Sequence, residues 1–444
     1  MTPPLNRRLR SVLCLDDFEA QARKFLPRPI FGYIAGAAET NASLHANRAS
    51  FQDYQFRPSV MVDVSKRSTT VTLFGKTYAS PFGIAPMGLS ALSAYRGDLV
   101  LAKAADRAQI PMIMSGSSLI RLEEVAKESK SAWFQAYLPG QVAQITALIE
   151  RVRKAGFETL VITVDTPVQA NRENNVRTGF STPLRPSLGL AWDGLAHPSW
   201  LCGTFLRTLI RHGMPHFENS YATRGTPIMS PHVVRDFSDR GHFTWEHLSL
   251  IRRMWPGPLV IKGILSKEDA AMACDAGVDG IIVSNHGGRQ LDGSVAPLRA
   301  LAEIVDAARE RPVMLDSGVR RGTDALKAIA LGAKMVFVGR PFAYAASIAG
   351  EAGVTHGIKL FSEEISRNMA MLGICTLDGM HAGRLVRANG MASAPVGAGG
   401  EAWAVTPLTN ALPHQAQSSP ARHVESVQSP PSPESIKPPR HSHT

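Results

Sequence analysis

Eight short apolar runs, most of them separated by stretches of helical periodicity, are the feature that most constrains the fold of this chain. Each run is too short for a helix and is followed by glycine or polar residues. Runs with little polar alternation are typical of strands buried on both faces, as in a parallel sheet. The runs are PFGIAPM, IPMIMSG, AWFQAYL, TLVITVD, PLVIKGI, GIIVSN, PVMLDSG and MVFVGR.

The stretches that precede several of these runs have the spacing of amphipathic helices. Examples are RGDLVLAKAADRAQ, QVAQITALIERVRKAG, SKEDAAMACDAG and GTDALKAIALGA, several of which close on a glycine, as helices often do. Eight strand and helix units predict an α/β fold, a closed (β/α)8 TIM barrel. From the pattern alone, an open doubly wound sheet is the alternative.

The segments around the repeating units predict three parts. Residues 1–80 form an N-terminal cap, in which LDDFEAQARKFL is an amphipathic helix and TVTLFGKTYASP a hairpin. Residues 81–387 form the barrel. Residues 388–444 are rich in Ala, Pro, Ser, Gly and His and cannot bury enough apolar surface to order themselves, which predicts a disordered tail.

One connection, residues 166–257, is far longer than the others. A connection of this length is usually functional or disordered. Its middle, around Trp200, mixes Trp, Leu and Arg, as a segment at a membrane interface would. A helical lid over the barrel mouth is the favoured interpretation, and a membrane foot is the alternative.

The charge of the chain bears on its partners. The formal net charge is +11 at pH 7, which is compatible with nucleic acid or an anionic membrane surface. However, no basic run is interleaved with aromatic residues, so nucleic-acid binding is not expected.

Cysteine usage and apolar run length indicate the compartment. The four cysteines are scattered without a CxxC pair, which argues against a metal site or a disulfide framework and fits a reducing compartment. The sequence shows no apolar stretch of signal-peptide or membrane-spanning length. We therefore expect a cytoplasmic protein that is soluble or peripheral.

The most informative local motif is SNHGGRQLD, from Ser284 to Asp292, directly after the apolar run GIIV. Barrel enzymes place reactive groups at the carboxyl ends of their strands. His286 titrates near neutrality and suits proton abstraction, whereas Arg289 suits two-point contact with a carboxylate. The two intervening glycines allow a sharp turn close to a flat ligand.

Further polar residues follow other runs. Asp165 could orient a catalytic imidazole, with Arg172 seven residues later, although an Asp capping the lid and an Arg in solvent are equally compatible. Lys262 ends a buried run, where an ammonium group requires an anion. Gln135, Tyr137 and Thr163 are polar residues that could bind a ring bearing several amide groups, or could be ordinary polar residues of the core.

The last two runs end in LDSGVRRG and VGRPFAYA. Barrels commonly bind phosphate after strands seven and eight, where glycine backbone and guanidinium groups meet. Gly318, Arg320, Gly339 and Arg340 have this arrangement. A P-loop and a GxGxxG motif that opens a helix are both lacking, which disfavours a dinucleotide on a Rossmann unit.

Together with FGYIAGAAE, IAPMG, FQAY, TVDTP and VIKG, these motifs resemble the FMN-dependent 2-hydroxy acid dehydrogenase and oxidase family. The resemblance runs from about Leu15 to Arg387. It implies an FMN cofactor and oxidation of a lactate- or mandelate-like L-2-hydroxy acid to the 2-oxo acid. His286 would be the base in either a hydride or a carbanion mechanism.

The resemblance also implies residue roles. Asp165 would pair with His286, Arg172 and Arg289 would bind the substrate carboxylate, and Tyr33 and Tyr137 would bond the substrate. Lys262 would lie near the flavin N1 and C2 carbonyl. The remaining residues expected to bind FMN are Ala85, Pro86, Met87, Ser115, Gln135, Thr163, Ser284, Asp316, Gly318, Arg320, Gly339 and Arg340.

Electron acceptor, location and assembly are expectations from the same resemblance. Gly88 resembles the dehydrogenase members, which favours a quinone or cytochrome acceptor, and an oxidase that uses oxygen is the alternative. Ser117 and Gln169 replace bulky apolar residues of glycolate oxidases, which predicts room for a larger or more polar substituent. A homotetramer, peripheral at the inner membrane surface, is expected; a flavin-binding protein without turnover is disfavoured by the complete site.

Overall fold

The amino-terminal region contains three helices and a hairpin in the computed structural model, which describes residues 7–181, 185, 187–230 and 241–388. Helices α1 and α2 place apolar side chains such as Phe18 and Ile30 in the core. The elements are the 3-10 turn Arg7–Leu9, α1 Asp17–Phe25, α2 Arg28–Ala35, α3 Ala42–Ala49, the 3-10 turn Ser50–Asp53, β1 Tyr54–Phe56, β2 Val71–Leu73 and β3 Lys76–Tyr78.

Eight parallel strands close into a barrel, and each lies within one of the eight apolar runs. Neighbours in the chain are neighbours in the barrel, and the last strand pairs with the first, Val336 beside Phe82. The closed ring confirms the (β/α)8 prediction over the open sheet. The strands are β4 Phe82–Ile84, β5 Met112–Ser115, β6 Ala132–Ala136, β7 Leu160–Thr163, β8 Leu259–Ile264, β9 Gly280–Val283, β10 Val313–Leu315 and β11 Met335–Val338.

Helices surround the barrel where the periodicity predicts them. Helix α7 (Val142–Ala155) is capped by Gly156 in the left-handed conformation (φ 90°), and Ser266 caps α13 (Lys267–Asp275) by accepting a bond from the Asp269 amide. The first of these helices are α4 Ser90–Ser93, α5 Gly97–Arg107, α6 Leu122–Glu128 and α7 Val142–Ala155. After β8 follow α13 Lys267–Asp275, α14 Pro297–Ala307, α15 Gly322–Ala330 and α16 Arg340–Met371, which is interrupted by non-helical backbone at Ala349 and Gly350.

The described part of the insert at 166–257 is largely helical. It contains α8 Glu173–Thr178, α9 Leu188–Ala196, α10 Pro198–Trp200, the π-helical turn Leu201–Leu206, α11 Arg207–His212 and α12 Trp245–Met254. Trp200 is buried and donates from its indole to the Leu92 carbonyl, 2.8 Å away, which fixes this helical region against α4. No helix within the described residues is long and apolar enough to cross a membrane.

The amino-terminal end of the barrel is closed by the hairpin of β2 and β3. Leu73 and Tyr78 pack with inward-facing strand residues such as Val161 and Ile282. Phe74 lies 5.7 Å from the ring of Trp133, ring centre to ring centre. The predicted hairpin is therefore an apolar plug beneath the barrel.

The carboxyl-terminal part returns to the start of the fold. After the 3-10 turns Leu377–Gly379 and Ala382–Arg384, β12 Leu385–Arg387 pairs antiparallel with β1. Sequence reasoning missed this pair, because two three-residue strands carry no usable periodicity. The predicted disordered tail, apart from Ala388, lies outside the described residues, and the predicted domain boundaries stay predictions.

Candidate active site

A cleft opens at the carboxyl ends of the barrel strands, with about 1260 Å³ of empty space including that at its mouth. This is the end of a barrel where reactive groups are expected. Most of the predicted site residues line it: Tyr33, Ala85, Pro86, Met87, Tyr137, Thr163, Arg172, Lys262, His286, Arg289, Asp316, Gly318, Arg320, Gly339 and Arg340.

The four other predicted residues lie behind that lining. Asp165 bonds to His286, and Ser284 accepts a bond from Lys262. Ser115 and Gln135 are paired on adjacent strands, where the serine hydroxyl donates to the amide oxygen at 3.2 Å. The structure thus brings the whole predicted set together.

His286 is held at both ring nitrogens. Its Nδ1 lies 2.9 Å from Oδ1 of Asp165, and its Nε2 lies 3.2 Å from the hydroxyl of Tyr137. The backbone at His286 is left-handed (φ 59°), as at Gly287 (φ 70°) and Gly288 (φ 74°). Three such residues in a row make the sharp turn that the glycines predict, and at His286 it costs about 1–2 kcal/mol.

Burial keeps this imidazole neutral. Desolvation lowers the pKa of His286, assisted by Lys262 and Arg172, and outweighs the opposing effect of Asp165. Although burial acts to raise it, the pKa of Asp165 is lowered because His286 and Lys262 are close. A neutral imidazole beside an ionised carboxylate is the form required of a general base.

Lys262 carries a buried positive charge. Its Nζ lies 2.9 Å from Oδ2 of Asp316 and donates to the hydroxyl of Ser284 at 2.6 Å. Burial acts to lower the pKa of Lys262, but the carboxylates of Asp316 and Asp165 outweigh it and the pKa is raised. The ammonium group is therefore a permanent cation at the cleft.

Two arginines from distant segments meet at the cleft. Arg172 donates to the backbone oxygen of Arg289 at 3.1 Å and to the side chain of Gln290 at 2.8 Å. Arg289 donates to the carbonyl of Gly36 at 2.6 Å, and its guanidinium lies 5.1 Å from the ring centre of Tyr33. Burial lowers the pKa of Arg289 to about 10, which still leaves it charged at neutral pH.

A second pair of buried guanidinium groups lies after the last two strands. Arg340 donates to the carbonyls of Ile34 and Gly287, both at 3.0 Å, and burial lowers its pKa to about 10. Arg320 donates to the Val319 carbonyl at 3.0 Å, and burial also lowers its pKa. Arg320 also lies 3.5 Å from a carboxylate oxygen of Asp16, whereas the bonds described for Arg340 are to backbone carbonyls, so this end has buried positive charge that favours an anionic ligand.

A match to a known protein family covers most of the chain. Residues 22–387 match the family model described as FMN-dependent dehydrogenase. The chain belongs to the FMN-dependent dehydrogenase family. FMN is the cofactor of this family, as the resemblance predicts.

Curated relatives of this FMN-dependent dehydrogenase cover most of its length. The (S)-mandelate dehydrogenase of Pseudomonas putida is 36% identical over 361 residues, which is 81% of this chain and 90% of the relative. The L-lactate dehydrogenase of Yersinia pestis (strain Pestoides F) is 38% identical over 364 residues, 80% of this chain and 93% of the relative.

Solved structures of mandelate dehydrogenase and mandelate oxidase are similar to this chain. The monotopic membrane protein (S)-mandelate dehydrogenase has a TM-score of 0.77 at 33% identity, covering 85% of this chain and 100% of its own. A mandelate oxidase variant with 2-hydroxy-phenylacetamide has a TM-score of 0.70 at 33% identity, covering 85% of this chain and 98% of its own. The fold is therefore shared with both dehydrogenases and oxidases.

Polar atoms of this FMN-dependent dehydrogenase fit the cofactor. Nε2 of Gln135 and Oγ1 of Thr163 are buried without a hydrogen-bond partner. Buried polar groups are rarely left unsatisfied, so these two atoms are available to bond a ligand in the cleft. An amide donor and a hydroxyl beside a lysine suit the polar edge of an isoalloxazine, and Arg320 and Arg340 suit a phosphate.

Sequence reasoning missed three cleft residues or supports in this FMN-dependent dehydrogenase. Gln290 binds Arg172 and also donates to the Asp165 carbonyl at 3.0 Å. The hydroxyl of Ser317 accepts a bond from the Gly287 amide at 2.9 Å. Both belong to motifs quoted above, but the third, Phe180 from the insert, has no such signal and is known only from its place in the cleft.

Proposed function

We propose that this protein oxidises an L-2-hydroxy acid, lactate- or mandelate-like, to the 2-oxo acid, and passes the electrons to a quinone or cytochrome. One observation carries the proposal: His286 Nδ1 lies 2.9 Å from Asp165, and the imidazole shares its cleft with Arg172 and Arg289. A neutral base beside two carboxylate-binding groups matches the chemistry of a 2-hydroxy acid.

The arginines and tyrosines would hold the substrate. Arg172 and Arg289 bind its carboxylate, because guanidinium groups recognise carboxylates by paired, charge-assisted hydrogen bonds. Tyr33 and Tyr137 donate to its hydroxyl or carboxylate oxygen. Their side chains all line the cleft beside His286, which favours one bound orientation.

The histidine and aspartate would move the proton. His286 accepts a proton from the substrate, in either the hydride or the carbanion account. Before the reaction, Asp165 keeps the proton of His286 on Nδ1, so that Nε2 is the basic nitrogen. After the proton transfer, Asp165 stabilises the imidazolium. FMN, when bound, supplies the two-electron acceptor for this oxidation.

The cofactor would be held along the rest of the cleft. Lys262 would supply a positive charge beside the flavin ring, where it would favour uptake of electrons by the cofactor. Buried polar atoms and the two phosphate-end arginines support the remaining assignments. The isoalloxazine end is assigned to Ala85, Pro86, Met87, Ser115, Gln135, Thr163 and Ser284, and the ribityl phosphate end to Asp316, Gly318, Arg320, Gly339 and Arg340.

A stopped-flow experiment tests the reaction. The FMN-loaded protein is mixed without oxygen with the L- and D-forms of lactate and mandelate, and with glycolate, which is achiral, and flavin absorbance is followed. We expect bleaching by an L-acid, and loss of bleaching with retained FMN in His286→Gln. If no L-2-hydroxy acid bleaches the bound flavin, the proposed function is wrong.

The acceptor is tested separately. Gly88, which resembles the dehydrogenase members, lines the cleft, and a Cβ there would lie 3.0 Å from Cβ of Ser117 and 3.4 Å from the Tyr33 hydroxyl, so a larger residue would be crowded. We expect the reduced protein to reoxidise much faster with a soluble quinone or cytochrome than with oxygen. Rapid peroxide formation in an oxygen electrode would favour the oxidase alternative instead.

We propose peripheral membrane contact through the insert. Helices α9 and α11 expose Leu188 (92%), Trp192 (72%) and Ile210 (83%). Exposed apolar groups next to basic residues such as Arg207 and Arg211 suit an anionic lipid surface. The solved relative described as a monotopic membrane protein is consistent with this proposal.

Co-sedimentation with anionic lipid vesicles tests this contact. Trp192→Ser is expected to reduce the bound fraction, whereas Met61→Ser, at an even more exposed apolar position before the hairpin, is the control. Equal sedimentation of both variants and the parent would contradict it. A homotetramer and a cytoplasmic location stay predictions, and light scattering checks the first.

A further inference from the structure

The motif FGYIAGAAE contains two glycines that the substrate and cofactor roles do not explain. Gly32 lies within α2 and Gly36 is its C-cap residue, one helical turn further on. Helix α8, the first of the insert, packs against α2 at these positions. A Cβ on Gly32 would lie 2.5 Å from Cγ2 of Thr178, and one on Gly36 would lie 2.9 Å from Cβ of Asn174.

Thr178 is fixed in this contact from its own side. Its hydroxyl donates to the carbonyl of Asn174 at 2.7 Å and to that of Asn175 at 3.1 Å. A β-branched side chain in a helix also has few alternative rotamers. Any side chain at Gly32 must therefore displace α8 as a unit.

Further bonds tie α8 to the same region. The amide of Asn174 donates to the carbonyl of Ala37 at 3.1 Å and to the side chain of Asn41 at 2.7 Å. Arg28, at the start of α2, donates to the carbonyl of Arg177 at 2.8 Å. These bonds hold α8 near both of its ends, to the start of α2 and to the segment that follows α2.

Helix α8 carries a cleft residue at each end. Arg172 is its N-cap residue, and Phe180 follows its C-cap Gly179. Both line the cleft, and the Phe180 ring lies 4.5 Å from the ring of Tyr33, centre to centre. His286, in contrast, is supported by β7 and β9 and has no bond to α8 among the bonds described for it.

We propose that the contact between Gly32 and Thr178 is a positioning device, which sets where Arg172 and Phe180 stand over the cleft. The contact governs binding of the carboxylate and the side chain of the substrate, and acts on proton transfer only indirectly, through Arg172. This inference rests on the proposed function for its substrate. The absence of a side chain at Gly32 is the structural requirement, because it lets α8 approach α2 closely.

The variant Gly32→Ala tests the contact with three readouts. Alanine favours the helix by about 1 kcal/mol, so weakening cannot be a loss of helix propensity. We expect the KM for the 2-hydroxy acid, and the dissociation constant of oxalate titrated against the flavin spectrum, to rise by about ten- to hundredfold. The limiting rate of flavin reduction should stay within about threefold, because His286 is bonded directly to Asp165 and Tyr137, and α8 reaches this pair only indirectly, through Gln290 and Arg289.

Rescue distinguishes positioning from general damage. Thr178→Gly removes Oγ1, Cγ2 and Cβ, the three atoms nearest to the new methyl group, so the double variant Gly32→Ala/Thr178→Gly should recover the KM of Thr178→Gly alone. No change in KM for Gly32→Ala, or no recovery in the double variant, overturns the proposal. Should Gly32→Ala not fold, Thr178→Leu enlarges the same contact from α8 and must raise KM in the same way.

Amide hydrogen exchange separates this proposal from the proposed function. Exchange at residues 173–180 should rise in Gly32→Ala and return in the double variant, whether or not any 2-hydroxy acid is oxidised. If the parent protein oxidises no 2-hydroxy acid, the proposed function fails, but hydrogen exchange still tests the contact between Gly32 and Thr178. Unchanged exchange in Gly32→Ala means that α8 does not depend on Gly32.

Discussion

The two ends of the barrel differ in what they bury. The amino-terminal end buries the ring of Trp133 under a hairpin that carries Phe74, whereas the carboxyl end buries the charges of Lys262, Asp316 and Asp165. The same strands serve both ends: β6 carries Trp133 near one end and Gln135 near the other. Apolar packing at the amino-terminal end can therefore offset the free-energy cost of burying charged groups at the carboxyl end.

The largest expected effect is at the carboxyl end. Asp165→Asn removes the carboxylate that stabilises the imidazolium of His286, and should slow flavin reduction by about 10³- to 10⁴-fold while FMN stays bound. Stopped-flow reduction measures it. Asp53→Asn, which removes an exposed carboxylate bonded to Arg299, is the control and should change little. A rate within tenfold of the parent for Asp165→Asn would remove the functional contrast between the two ends.

The amino-terminal end should show the opposite behaviour. Trp133→Ala leaves a cavity among Phe74, Tyr78 and Phe337, and should lower the free energy of unfolding by about 3–5 kcal/mol. Urea unfolding measures this loss. The rate of flavin reduction in the folded fraction should change little. A large fall in this rate together with the loss of stability would show that packing at the amino-terminal end is coupled to catalysis at the carboxyl end.

The pH dependence sharpens the description of the catalytic end. Because the pKa of His286 is lowered from 6.5, the reduction rate should rise with pH through a value below 6.5 and stay level above it. In Asp165→Asn the imidazolium loses its stabilising carboxylate, so the inflection should move to still lower pH. An inflection above 6.5 in the parent would mean that burial does not dominate at His286.

The smallest expected effect concerns a single buried hydroxyl. Thr163→Val removes an oxygen that has no partner in the described structure, so the unfolding midpoint without FMN should stay the same or rise. Loss of one hydrogen bond to the cofactor should weaken FMN binding by about fivefold, or about 1 kcal/mol. Fluorescence titration of FMN measures this. Weaker stability with unchanged FMN affinity would assign Thr163 to the core.

Much of the fold and the site could be predicted from the sequence. The apolar runs contain every barrel strand, because strands buried on both faces are marked by composition alone. Motifs at strand ends give His286, Asp165 and Lys262, since residues at the carboxyl ends of parallel strands must share one face. The β1–β12 pair was missed, because its strands are too short for a periodic signal.

The amino-acid sequence by itself determined the order of strands and helices and the residue types at the strand ends, because periodicity and turn chemistry are local properties. Tertiary structure decided which of those residues meet. His286 and Asp165 are 121 positions apart, and Phe180 and Tyr33 come together only because Gly32 admits α8. Such contacts depend on closing the ring and packing the insert, which no local pattern encodes.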